Sequence, residues 1–184
     1  MIIIIPTILI TIITFPGIII HEIAHRLFCD KFGLMVYKVK YFLPSNIVSG
    51  YVEYEPTTNV IEQYLITIAP FIINTLVCAF FTLPSLLPLD WFGDHLEQSE
   101  GVQLLFIIMA WIGFSSGMHA FPSSTDLEVL ENVYLSYPPE SKMVNLVIRY
   151  TASFFWMINS IRFFLIEFGY ALLISKIFPL LLSY

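Results

Sequence analysis

The chain has 184 residues, of which 58% are hydrophobic and only 12% charged. That balance excludes an ordinary soluble domain, where about a quarter of residues carry charge, and its length suits a single domain of a few membrane spans. A net charge of −6 with no basic patch excludes nucleic acid as a partner and leaves the lipid bilayer as the expected surroundings.

The first apolar run, about Ile2 to Phe28, lacks the basic start and small-residue cleavage site of a signal peptide, so it is expected to be a retained span. Its Ile-rich composition looks strand-like in water. In lipid a helix is required, because every backbone group must find its partner internally. Pro16-Gly17 predicts a kink in it. The run ends in His21-Glu22-Ile23-Ala24-His25.

The connection from Arg26 to Glu62 holds two stretches with period two, Tyr37–Tyr41 and Gly50–Tyr54, around Pro44-Ser45-Asn46. This predicts a short β-hairpin at the membrane surface, with an edge able to pair with an extended peptide. A second span is expected over about Val60 to Leu83. It contains Pro70 and an interior-facing Asn74, suited to packing between helices or to holding substrate backbone. The next connection, residues 84–101, is acidic, contains His95 and has no Lys or Arg. A third span follows over about Val102 to Phe121, with Gly113, Ser115, Ser116 and Gly117 as small packing residues.

Pro122 breaks that span, and Ser123 or Ser124 is placed to cap a short amphipathic helix from Asp126 to Ser136. Residues 143–184 are apolar for about 60 Å of helix, enough for two spans or for one span with an interfacial helix. Cys29 and Cys78 lie in or beside apolar runs and read as free, buried thiols. The fold class expected is therefore an all-α polytopic membrane protein, residues 1–184 as one domain, with about 4–5 transmembrane helices and a hairpin after the first.

Arg26, Lys31, Lys38 and Lys40 all fall in the first connection. By the positive-inside rule that connection is cytoplasmic. The first span then descends to the cytoplasmic side, the second returns and the third descends again. His21, Glu22, His25, His119 and Asp126 are thereby brought to one depth.

Two histidines four apart on a helix stack on one face and can grip one zinc ion, with Glu22 beside the metal's water. A catalytic zinc takes a third protein ligand. His95 is on the wrong side, which leaves His119, Asp126, Glu128 and Glu131. Ser123-x-x-Asp126 also reads as a capping box, in which Asp126 needs no metal. Polar residues in lipid are costly without a role.

His-Glu-Ile-Ala-His in an apolar helix, a hairpin, Ala69-Pro70-Phe-Ile-Ile-Asn74 and an Asp after Pro122 together resemble the site-2 protease family of intramembrane zinc metalloproteases. The resemblance covers roughly residues 10–130. It implies Zn2+ as cofactor, Asp126 as third ligand beside His21 and His25, and Glu22 as general base. The family's Asn-x-x-Pro and Asp-Gly appear here as His119-Ala-Phe-Pro122 and Asp126-Leu127, and its Gly-Pro-x-x-Asn carries one extra residue. These departures point to a divergent branch of small membrane zincin peptidases. They leave His119 as an alternative ligand or as a donor to the oxyanion. The substrate implied is a transmembrane segment of a membrane protein. The alternative is a metal-binding or helix-binding membrane protein that does not cut.

Overall fold

The computed structural model describes residues 7–43, 50–86, 100–161 and 164–182. The chain is mostly helical, with one two-stranded antiparallel sheet.

The first apolar run makes two helices, α1 (Thr7–Ile13) and α2 (Phe15–Lys31), broken at Thr14 with Pro16 in the first turn of α2. Pro16 has no amide hydrogen to give, so the ladder must lapse here. Carbonyls beside the break are taken up by α4 (Glu100–Met118). Trp111 Nε1 donates to Ile13 O at 2.8 Å. Ser115 Oγ donates to Thr14 O and accepts from the Gly17 amide, both at 2.7 Å. This contact needs a bare backbone, since a Cβ on Gly17 would lie 2.1 Å from Ser115 O.

Strands β1 (Val36–Lys40) and β2 (Tyr51–Tyr54) pair antiparallel, Val39 opposite Val52, with an irregularity between Val36 and Lys38. The expected turn at Pro44-Ser45-Asn46 lies outside the described residues. The pair runs back along α2 rather than away from it: Arg26 donates to Tyr41, Phe42 stacks 5.8 Å from Phe15, and Gly50 abuts Glu22.

Helix α3 (Val60–Leu86) runs opposite to α2, with His25 beside Ile66 and Gly17 beside Asn74. It also runs opposite to α4, with Gly117 against Cys78 and Gly113 against Thr82. Added Cβ atoms at those glycines would meet their neighbours at 2.7–2.8 Å, which is how small residues bring backbones together. Cys29 and Cys78 are free and buried, as expected.

The capping box of α5 (Ser124–Ser136) is formed: Ser123 and Asp126 bond each other's backbone amides. Leu127 and Leu130 are buried, while Val129 between them is exposed. The last apolar stretch divides into α6 (Lys142–Ser160) and α7 (Phe164–Leu182). Both follow α3 in its own direction. Ile148 packs near Val60, Phe155 stacks on Phe71, Tyr170 bonds Thr75, and Ser175 lies by Cys78. Among the described residues they do not form an up-and-down pair.

Among the described residues, two helices are long and apolar enough to cross a membrane, in the segments Val60–Leu83 and Glu100–Met118, against the four to five spans expected. Only 44% and 28% of their apolar windows are buried in the protein, so most of that surface faces outward. Leu76, Phe80, Leu104 and Ile107 are all more than half exposed. An outward apolar surface of this kind suits lipid.

Gly17→Ala is expected to destabilise the protein by about 3 kcal/mol or more, through overpacking of α2 on α4. Chemical unfolding followed by circular dichroism in detergent checks this; an unchanged midpoint would refute the close contact.

Candidate metal centre

Three side chains from two helices meet at one point. His21 and His25 sit one turn apart on α2, and Asp126 comes from the first turn of α5. A ligand atom from each lies within 4.8 Å of the others. His21 Nε2 and His25 Nε2 are 3.2 Å apart. Asp126 Oδ1 is 3.4 Å from His25 Nε2, and Oδ2 is 3.7 Å from His21 Nε2.

The protons can be assigned by elimination. His21 Nδ1 lies 2.8 Å from His119 O, and His25 Nδ1 lies 3.0 Å from Ile66 O. A carbonyl has no hydrogen to give, so each Nδ1 donates. In the neutral rings both Nε2 atoms then present lone pairs to each other and to a carboxylate. Three acceptors facing one another repel unless a positive charge lies among them. A proton on one Nε2 or a metal ion would supply that charge, and imidazoles oriented through Nδ1–H to carbonyls are how metal-binding histidines are commonly held.

Asp126 fills two parts at once. Its Oδ2 accepts from Ser123 N at 2.7 Å and Ser123 Oγ at 2.6 Å, completing the helix cap. Its Oδ1 faces the rings. Burial pushes its carboxyl up, and the rings of His25 and His21, when protonated, more than reverse this and hold it well below the usual carboxylate range.

Asn74 is wholly buried and donates to His119 O at 2.7 Å and Gly17 O at 3.3 Å. It thus holds the carbonyl that holds His21. The orientation leaves Asn74 Oδ1 with no partner among the described residues. A second chain of bonds runs from the hairpin. Gln63 Nε2 donates to Tyr54 Oη at 2.8 Å and approaches Thr67 Oγ1 at 3.4 Å, and Thr67 Oγ1 reaches Asp126 O at 3.4 Å. Burial pushes the Tyr54 hydroxyl up to about 12, against the Gln63 hydrogen bond, so it stays neutral.

Glu22 is 6% exposed and lies within electrostatic reach of His21 and Asp126. Gly50 covers it: a Cβ there would come 2.7 Å from Glu22 Oε1. His119 contributes through its backbone. Its ring turns to Thr14, where Thr14 Oγ1 donates to Ile10 O and so accepts from His119 Nε2 at 2.7 Å. Glu128 and Glu131 are exposed on α5 and do not join the group. His95 lies outside the described residues.

The sequence reading did not single out Thr14, Gly50 or the two carbonyls. Carbonyls carry no letter, and Gly50 stood only as a strand end.

Compared with known proteins, the chain matches no family model, no curated protein and no solved structure.

Asn74→Leu keeps the volume and removes the donor. It is expected to lower metal affinity by about 10- to 100-fold, and also to lower the unfolding midpoint, because Gly17 O and His119 O lose a buried donor. Chelator competition with Co2+ measures the first and thermal unfolding the second; equal Co2+ affinity would show that Asn74 does not support His21.

Proposed function

We propose that this chain is an intramembrane zinc metalloprotease that hydrolyses peptide bonds in or near transmembrane segments. One observation carries the reading. Two imidazole lone pairs and a carboxylate oxygen converge beside a buried Glu22, with both ring Nδ1 atoms already spent on carbonyls.

The donor set fits zinc, since two nitrogens and one oxygen leave a fourth tetrahedral position open. His21, His25 and Asp126 would hold the ion, which supplies Lewis acidity toward a water and a peptide carbonyl. Glu22 receives the water's proton and returns it to the leaving amine. The cover over Glu22 keeps bulk water from the base. The open edges of the β1–β2 pair offer hydrogen bonds to a substrate that has unwound, which a helical segment must do before its carbonyls are exposed.

The membrane reading extends past the two apolar helices to α2 and to α6 with α7, which follow one another along α3 and share one crossing, giving four. Arg26 and Lys31 end α2, and Lys142 and Arg149 begin α6, all toward the end of the bundle where α3 begins. That end is assigned to the cytoplasm. The metal centre lies near it, beside Ile66 in the second turn of α3.

Glu22→Gln is expected to retain zinc and to lower cleavage of a transmembrane reporter by about 10²- to 10⁴-fold. Elemental analysis and a gel assay on protein in nanodiscs check both; a variant that cuts normally would remove Glu22 as the base, and a parent protein without bound zinc would remove the metalloprotease reading.

Acidification supplies a second test. Protons compete with the ion for both Nε2 atoms, so metal affinity falls as pH falls. Co2+ titrations at several pH values should show this loss; affinity independent of pH would argue against histidine ligation.

A further inference from the structure

Pro70 stands in the interior of α3, fully buried, and the helix continues on both sides of it. A proline there removes one amide and tilts the carbonyl four residues back out of the ladder. Four residues back is Ile66. Its carbonyl is the one that accepts His25 Nδ1–H at 3.0 Å.

We propose that Pro70 is a positioning residue of the metal centre: by withdrawing its own amide it frees the Ile66 carbonyl to orient His25. The inference rests on the metal reading of the His21–His25–Asp126 group and deepens it. It explains a costly choice. Proline is the worst residue for a helix interior, and tolerance in an apolar setting requires that neighbours satisfy the freed group. Here the neighbour is His25, a residue of the metal group itself.

The arrangement is matched on the other imidazole. His21 Nδ1 also uses a carbonyl without a helical partner, that of His119, just past the last residue of α4. Both rings are thus aimed by backbone groups that helix interruptions release. For His25 the interruption is a single side chain, which makes it testable by substitution.

Two substitutions restore the amide with different side chains, Pro70→Ala and Pro70→Val. The returning N–H draws Ile66 O back along the helix axis and loosens its hold on His25. Purified full-length protein is titrated with Co2+ against a chelator, its visible absorption is recorded, and the thermal midpoint of the metal-free form is measured. Both variants are expected to bind Co2+ about tenfold more weakly than the parent, with altered absorption bands and a metal-free midpoint that is unchanged or higher.

Parental affinity and spectrum in both variants would overturn the role of Pro70 while leaving the metal reading in place. Weakening in only one variant would assign the effect to side-chain packing and also overturn it. A lower metal-free midpoint in both would contradict the gain expected of a restored amide. A parent protein that takes up no Co2+ would overturn the metal reading itself, and this inference with it.

Discussion

The centre depends on the supply of backbone carbonyls that no helix is using. Each imidazole must surrender its Nδ1 proton to an acceptor before its Nε2 can be aimed. Inside a continuous helix every carbonyl is taken by the amide four residues on. Acceptors therefore appear only where a ladder lapses. Ile66 O is released by Pro70, and His119 O lies just past the end of α4. Two imidazoles on one helix are thus oriented by interruptions in two others.

Interruptions are expensive in apolar surroundings, where water cannot pair the groups left over. The chain places side-chain donors against each of them. Ser115 and Trp111 take the carbonyls at the α1–α2 break. Asn74 bridges Gly17 O and His119 O, joining that break to the end of α4. Asn159 on α6 donates to Pro122 O at 3.1 Å and so ties down the turn that leads to Asp126.

These observations also mark what a sequence can disclose. The pentapeptide was legible because imidazole spacing on a helix is fixed by its pitch. Both strands were legible from period two, and the break near Pro16 from proline chemistry. Asp126 has two readings, cap or ligand; the cap is formed through Oδ2, while Oδ1 lies 3.4 Å from His25 Nε2, so the one role does not preclude the other. His119 was judged by its ring, whereas what reaches His21 is its carbonyl. A backbone atom leaves no trace in composition, and its availability follows only from where ladders stop. The parallel course of α6 and α7 along α3 was equally hidden. Hydropathy reports depth and length, and direction is set by contacts such as Tyr170 on Thr75.

The hairpin raises a question of energetics. A two-stranded pair is marginal by itself and carries unpaired edge groups. Here it is tied to the centre at both ends of β2. Gly50 closes on Glu22, and Tyr54 connects through Gln63 and Thr67 to Asp126. Order in the strands and order in the His21–His25–Asp126 group are then linked: anything that pairs with a strand edge and stiffens the hairpin also steadies Glu22 and Asp126. A peptide bound in that way would meet a site made more rigid by its own arrival. Under the proposed proteolytic reading, that linkage would favour chemistry on a chain held extended over chemistry on a passing helix.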